Sequence, residues 1–390
     1  MERTFDALVV GAGYAGAVCA RRLAEQGGKR VLVLERRSHI GGNAYDCLDD
    51  HGVLIHQYGP HIFHTNDRLV YDWLSRFTQW RDYQHRVIAN IPDHAGGRMT
   101  YPVPFNLTSL ETAFGPVEGK RLGDKLVAEY GAEKKVTILA LRQNEDPEIS
   151  ALADYVYEHV FVHYTMKQWG QTPEEIDPNT TARVPVFLSR DDRYFQDAFQ
   201  GMPEEGYTPM FERILDHPNI TVELGCDALK RLDVSGDKLK VDGEEFHGPV
   251  IYTGQADELF GFRFGPLPYR TLDFRFETLP QDDFQGYGTV NYTVDQDYTR
   301  ITEFKHLTGQ KAPGKTTIVK EYSRSYTGAP GEIPYYAIIN PDNNAKYSQY
   351  KALAEKFPNL HLLGRLAEYK YYNMDAIAGR ALDLAGQLLK

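Results

Sequence analysis

The chain has 390 residues, 42% of them hydrophobic and 25% charged. These are globular proportions, and the length suits about two to three domains around a large buried core. Its 43 basic and 54 acidic side chains leave a formal charge of −11, which excludes a general nucleic-acid coat and a basic membrane anchor and leaves only local basic pockets.

From Met1 to Asp6 the charges are mixed and four apolar residues follow, so no secretory leader is expected. No run nears the ~18 apolar residues of a membrane span. The three cysteines, Cys19, Cys47 and Cys226, form no C-x-x-C pair, and a reducing compartment suits them. A soluble cytoplasmic protein with no stable membrane insertion is the expectation.

Ala7 to Val10 is a short apolar run of the kind a parallel strand buried on both faces needs, and Val31 to Leu34 is a second. Between them Tyr14 to Gln26 has helical composition, which makes a βαβ opening. Residues 1–65 are therefore read as the first part of an α/β nucleotide domain. From 66 to 165, Leu69, Trp73 and Phe77, and later Ile149, Leu152, Val156 and Val160, recur at helical spacing. This span is read as a mostly helical insert, interrupted at Tyr101-Pro102-Val103-Pro104. Residues 166–267 bring the chain back to the nucleotide domain, with Val250 to Thr253 as a strand before Gly254 and with loops suited to a lid. Residues 268–325 alternate apolar and polar at Leu272 to Glu277, Thr289 to Thr293, Arg300 to Phe304 and Thr316 to Tyr322, which predicts an antiparallel sheet. Residues 326–390 return to the α/β pattern of the opening. A strand at Asn359 to Leu363 is followed by Gly364, then by a helix from about Met374 with Ile377, Ala381, Leu384 and Leu388 on one face.

Gly11-Ala12-Gly13-Tyr14-Ala15-Gly16 is a G-x-G-x-x-G turn between the first strand and the helix, and Glu35 ends the next strand 19 residues beyond Gly16. That is the dinucleotide fingerprint in its required context. Gly11 permits the tight turn, Gly13 the approach of a pyrophosphate, and Gly16 close helix–strand packing. The helix N-terminus at Tyr14 and Ala15 faces the phosphates with free N–H groups, and Glu35 accepts from ribose hydroxyls. Arg36 and Arg37 beside it hint at a 2′-phosphate, but Gly41-Gly42-Asn43 soon after the acid, and the strand–Gly364–helix unit near the C-terminus, favour FAD over NAD. Asp375, at the start of the last helix, joins Gly42 and Asn43 as a candidate cofactor contact. The fold class is α/β: a Rossmann-like FAD-binding domain with a helical insert and an antiparallel β-sheet.

These motifs, with Tyr58-Gly59-Pro60-His61-Ile62-Phe63-His64-Thr65, Tyr164-Thr165-Met166-Lys167-Gln168-Trp169-Gly170, Tyr298-Thr299-Arg300-Ile301-Thr302-Glu303 and Gly364-Arg365-Leu366-Ala367-Glu368-Tyr369-Lys370-Tyr371, closely resemble the bacterial UDP-galactopyranose mutase family over almost the whole chain. The resemblance implies an isomerase that interconverts UDP-galactopyranose and UDP-galactofuranose. Its FAD works in the reduced form, with flavin N5 as nucleophile toward the anomeric carbon and no net redox change. It also implies an external reductant such as NADPH, and a homodimer.

Carried over residue by residue, the resemblance makes Arg183 and Arg300 the pair that brackets the diphosphate. Arginine suits this because its planar fork donates two parallel bonds to phosphate oxygens. The 26 tyrosines of the chain already invite a polar-aromatic site. The resemblance selects Tyr164 and Phe161 as the uracil platform with Thr165 beside them, and Trp169 near the sugar. It selects Tyr194, Tyr336 and Tyr371 as diphosphate hydrogen-bonders, Tyr336 being preferred to Tyr335 by loop counting alone. His61 and Arg365 are implied beside the flavin. His61 and His64 form H-x-x-H without an acidic or cysteine partner at ligand spacing, so no metal is expected. Asn373 stands where many relatives carry an acid beside the sugar; it can hydrogen-bond but cannot act as a base. Arg183 lies in a loop between Pro178 and Pro185, a candidate lid over UDP. An FAD-dependent oxidoreductase of the amine-oxidase type fits the fingerprint, Gly41-Gly42 and the C-terminal unit equally well, and a non-catalytic flavin scaffold is a third reading.

Overall fold

Four apolar residues in a row cannot form a strand with one wet face, and the two such runs near the N-terminus lie inside a sheet covered on both sides. The computed structural model describes residues 5–93, 97–170 and 185–390, the Trp169 side chain apart. Its first sheet is parallel throughout, in the order Ile220–Glu223, Val31–Leu34, Ala7–Val10, Val250–Tyr252, Leu360–Leu362. Alternate residues face opposite layers. Ala7, Val9, Val31, Val33 and Ile251 join one core with the helices Tyr14–Gly27 and Met374–Leu388. Leu8, Leu32, Leu34, Val250 and Leu360 join another, with Ala354, Phe357 and the small sheet around Leu232–Glu245. Each fully buried Leu or Val contributes about 1.5–3 kcal/mol relative to exposure. The βαβ opening and the C-terminal strand–helix unit expected from the sequence are both present, and the parallel sheet draws its strands from both chain ends and the middle.

The second sheet has seven strands, in the order Tyr336–Ala337, Tyr269–Leu279, Thr316–Ser325, Arg300–Glu303, Thr289–Tyr292, Val87–Pro92, Arg98–Val103. Adjacent strands are antiparallel except for Thr289–Tyr292 beside Val87–Pro92, which run parallel. The antiparallel sheet expected over 268–325 is there, but it recruits two strands from the span read as a helical insert. The reason is visible at Pro102. Proline lacks the N–H a central strand must donate, so Tyr101-Pro102-Val103-Pro104 looks like an interruption; Arg98–Val103 is the edge strand, where proline is tolerated.

The rest of the 66–165 span is helical after Asn106: Leu107–Phe114, Pro116–Tyr130, Ile138–Arg142 and Pro147–Val156. Asn106 caps the first of these by accepting from the Ser109 N–H, and Asp146 caps the last by accepting from Glu148 and Ile149. That last helix continues through a π-turn, Tyr157–Val162, into His163–Trp169. The insert has its own core of Leu110, Leu126, Ile138, Leu152 and Val156 against Val87, Ala89 and Ile91 of the sheet.

Candidate active site

The glycine turn lies at the carboxyl ends of the parallel strands, where open α/β sheets hold ligands. A Cβ on Gly16 would lie 1.9 Å from the Gly11 carbonyl oxygen, so helix and strand could not approach as they do. Gly11 has φ +101° and Gly42 φ +57°. A Cβ on Gly42 would reach within 3.0 Å of the Gly13 Cα, so the two glycine turns face one another across a bare cleft. Glu35 is 7% exposed. One carboxylate oxygen accepts from the Ala12 N–H at 2.8 Å and the other from the Arg37 N–H at 2.8 Å. The acid thus braces the turn, and each oxygen retains a lone pair for a ribose hydroxyl.

A cavity of about 360 Å³ opens here, lined by Gly11, Gly13, Tyr14, Ala15, Glu35, Arg36, Gly42, Asn43, His61 and Arg365 among the expected cofactor residues. Gly16 is spent on packing, and Asp375 occupies the first helical turn beside the lining residues Met374 and Ile377. Arg36 already pairs with Glu258 at 3.0 Å and Asp227 at 3.5 Å, which argues against a 2′-phosphate there. Its neighbour Arg37, the other half of that hint but outside the expected cofactor set, lies 4.3 Å over the Tyr58 ring and donates from Nη2 to Asn43 Oδ1 at 2.8 Å. Its Nη1 is buried without a partner among the described residues. An orphaned cationic donor, two bare glycine turns and a ribose-binding acid fit an acceptor-rich dinucleotide cofactor.

A second cavity of about 380 Å³ shares Asn43, His61, Tyr335, Arg365 and Met374 with the first. Tyr164, Tyr194, Arg300, Tyr336, Tyr371 and Asn373 all line it. Nine expected residues from separate stretches of chain, Asn43, His61 and Arg365 among them, therefore meet in one place. Tyr336 and Tyr371 stack with centroids 6.1 Å apart. Tyr335 stands at the junction of the two cavities, its hydroxyl buried and without a partner among the described residues. Phe161, 5% exposed, packs in the insert core, and Thr165 is buried too; neither is among the lining residues. Arg183, with the candidate lid loop from 177 to 184, and the Trp169 side chain lie outside the described residues.

Strand register explains the position of Arg300. Asn291 pairs with Arg300, Arg300 with Glu321, and Glu321 with Phe274, so these four side chains stand abreast on one face of the sheet. Arg300 Nε donates to Glu321 Oε1 at 2.7 Å. Burial works against the arginine's charge, but Glu321, with Tyr164 next, outweighs it and holds the group's pKa above its ordinary value. The second oxygen of Glu321 and Oδ1 of Asn291 are buried without partners among the described residues. Sequence reasoning missed Glu321 and Asn291, because which residues stand opposite one another depends on register.

His61 sits 2.8 Å through Nδ1 from the Gly59 carbonyl oxygen. A carbonyl only accepts, so Nδ1 carries the proton and Nε2 is left as an acceptor. Burial, then His56, pushes its pKa down to about 3, so the ring is neutral. His64, the other half of H-x-x-H, pairs instead with Asp197 at 3.0 Å and stacks on Phe195 with centroids 3.6 Å apart. The two histidines serve different partners. The one cluster of ligand-type groups among the described residues is Asp283, Glu303 and His306, away from both cavities, and Glu303 there is taken up by the Phe284 and Gln285 N–H groups and the Thr316 hydroxyl.

Fold and site together define an α/β protein of the flavoenzyme type whose dinucleotide-type cavity opens onto a tyrosine-walled chamber that holds an arginine. Residues 9–77 match the NAD(P)-binding Rossmann-like domain model, and residues 159–371 match the UDP-galactopyranose mutase model. The chain is 37% identical to the UDP-galactopyranose mutase of Mycoplasma pneumoniae, over 99% of this chain and 96% of that protein. It is 36% identical to the dTDP-fucopyranose mutase of Escherichia coli, over 98% of each. A crystal structure of reduced UDP-galactopyranose mutase shares the fold, with a TM-score of 0.73 at 16% identity, covering 99% of this chain and 94% of that one. The chain belongs to the UDP-galactopyranose mutase family, and is an enzyme of the isomerase class. The amine-oxidase alternative is not favoured, since the match to the mutase model runs through the segments that line the second cavity. Among the described residues no helix is long and apolar enough to cross a membrane.

Proposed function

We propose that the protein interconverts UDP-galactopyranose and UDP-galactofuranose on a bound, reduced FAD, without net redox change. When bound, the reduced flavin supplies through N5 the nucleophile toward the anomeric carbon. Arg300, kept charged by Glu321, holds the diphosphate as it leaves and returns. Tyr194, Tyr336 and Tyr371 offer hydroxyls to the same oxygens, and Arg183 is the second guanidinium. Tyr164 presents a flat face to the uracil, while Phe161 belongs to the core of the insert. His61, neutral and with Nε2 free to accept, hydrogen-bonds at the flavin side of the chamber. Asn373 orients a hydroxyl and moves no proton. In the cell an external donor such as NADPH keeps the flavin reduced, and the enzyme works as a cytoplasmic homodimer.

The observation that carries this reading is the chamber itself, a half-buried arginine and three tyrosines opening directly onto the dinucleotide cavity. The test is anaerobic incubation of the flavin-loaded protein with UDP-galactofuranose, one sample reduced with dithionite and one left oxidised. Conversion to UDP-galactopyranose in the reduced sample alone is expected. No conversion with reduced flavin bound overturns the reading. A parallel incubation with dTDP-fucopyranose decides between the two nucleotide sugars that name the relatives above.

A further inference from the structure

Two cations near the second cavity are used by nothing in that scheme. Lys167 lies in the Lys167-Gln168-Trp169-Gly170 motif, and Arg270 lies on the long strand Tyr269–Leu279. Among the described residues all their hydrogen bonds go to neutral oxygens. Arg270, 6% exposed, donates from Nε to the Gln168 carbonyl at 3.2 Å and from Nη2 to the Lys167 carbonyl at 3.1 Å. It also donates to the Ser325 and Ser323 hydroxyls at 3.2 Å each. The Ser323 hydroxyl donates in turn to the Gln168 carbonyl at 2.7 Å. These carbonyls are the open end of the helix His163–Trp169, where the last turn lacks intrahelical donors and the dipole favours a cation. Gly170 ends the helix at φ +66°, and a Cβ there would lie 2.7 Å from Arg270 Nη1. The glycine thus serves the close approach of the guanidinium as well as the turn.

Lys167 reaches the other way. Its Nζ donates to the carbonyls of Tyr292, Gln296 and Tyr298, the last two at 3.0 and 3.4 Å. These belong to the connection between the strands Thr289–Tyr292 and Arg300–Glu303, which carry Asn291 and Arg300. A second tie runs from the Thr293 hydroxyl to the His159 carbonyl at 2.6 Å. The helix bearing Tyr164 and the strand pair bearing Arg300 are therefore bound into one piece at the wall of the chamber.

We propose that Lys167 and Arg270 are positioning residues, a two-cation clamp in which Lys167 ties the helix of Tyr164 to the connection between the strands of Asn291 and Arg300, and Arg270 ties the same helix to Tyr269–Leu279 and Thr316–Ser325, the latter paired with the strand of Arg300, so that together they set the distance between the base-binding face and the diphosphate-binding guanidinium. A buried guanidinium is a costly way merely to fill space, whereas its fork fixes two carbonyls and two hydroxyls at once. The consequence for nucleotide binding rests on the function proposed above; the clamp itself does not.

The clamp is also sensitive to pH. Burial pushes the Lys167 ammonium down to about 8, against the opposing pull of Asp295 and Asp297. The other charged and titratable groups around it are Arg98, paired with Asp295, the phenols of Tyr292 and Tyr298, and on its own helix His163, paired with Glu158. Above pH 8 the amine has fewer N–H groups for three carbonyls.

The test uses flavin-loaded wild type, Lys167→Met and Arg270→Met. Hydrogen exchange without nucleotide is expected to quicken at 163–168 in both variants and at 293–299 in Lys167→Met, with flavin content unchanged. UDP is expected to bind about tenfold more weakly to each at pH 7. From pH 7 to 8.5 wild-type UDP affinity is expected to fall, while that of Lys167→Met stays flat. Unchanged exchange in both segments overturns the clamp, whatever UDP does. Faster exchange in the variants, with a wild type that does not bind UDP, leaves the clamp standing and overturns the nucleotide reading instead. Parallel pH profiles for wild type and Lys167→Met overturn the role of the ammonium.

Discussion

Glu321, fully buried, holds Arg300 by one oxygen, while the arginine side chain is 24% exposed toward the chamber, so the two side chains stand or fall together. Removing the carboxylate as Glu321→Ala leaves a partly buried guanidinium unpaired, at a cost of about 1–3 kcal/mol. The expected result is a lower melting temperature together with weaker UDP binding. Arg300→Lys keeps the charge but loses the planar fork, so it is expected to melt nearer the wild type yet bind UDP about tenfold more weakly or worse. Thermal denaturation and UDP titration of both variants check this; an Arg300→Lys protein with unchanged UDP affinity refutes the diphosphate role. At this scale the sequence was legible wherever a residue type belongs to a motif, as with Tyr164, Arg300 and Tyr371. It was silent on Glu321, which stands opposite Arg300 only because Thr316–Ser325 pairs with Arg300–Glu303 in one register out of several.

The glycine turn is the element on which the cofactor cavity depends, and its tolerance is set by atoms already in place. Gly16→Ala drives a methyl to 1.9 Å from the Gly11 carbonyl oxygen. Either the helix Tyr14–Gly27 moves outward or the turn deforms, and overpacking of this kind costs about 1–3 kcal/mol. The expected outcome is a folded protein that purifies with little flavin, measured by its visible absorbance. Retention of a full complement of flavin runs against the packing account. The turn was legible because its glycines have no conformational substitute. The strands Val87–Pro92 and Arg98–Val103 were not, because prolines hid an edge strand inside a span with helical spacing on either side. The π-turn at Tyr157–Val162 was equally invisible: the apolar spacing of Ile149, Leu152, Val156 and Val160 runs straight through it.

Across the whole molecule, neutral histidines make stability depend on pH. His56 and His85 are 1% and 4% exposed, and burial pushes their pKa values down to about 4 and about 3. In the unfolded chain each titrates near the ordinary 6.5. The unfolded state therefore binds more protons between those limits. The stability these groups contribute is present above about pH 6.5 and is lost as pH falls toward 4. With His61, pushed down to about 3 in the same way, there are three such groups, and the slope approaches about 4 kcal/mol per pH unit. Denaturant unfolding of the flavin-loaded protein at pH 7 and pH 5 is expected to show the loss, and His85→Gln to reduce it by about a third. Equal stability at the two pH values sinks the idea. The sheet architecture was legible at this scale, since apolar runs at both chain ends demanded a shared parallel sheet. The seven-stranded sheet extends at both ends beyond the span where alternation announced it.

The cofactor cavity takes its walls from the glycine turn, from the stretches near residues 36, 42, 227, 254 and 334, and finally from 364 to 377. Synthesis delivers these walls in that order, at about 5–20 residues per second. The turn that grips the phosphates therefore exists for about 20–70 seconds before its last wall emerges. No abundance of flavin in the cell can shorten that interval. Ala7–Val10 and Val31–Leu34, strands meant to be covered on both faces, spend it only half clothed. Premature termination anywhere between Gly16 and Met374 yields a polypeptide carrying every fingerprint glycine and an unfinished cavity. A translating ribosome that stalls late in this message leaves the costliest product, nearly whole and colourless.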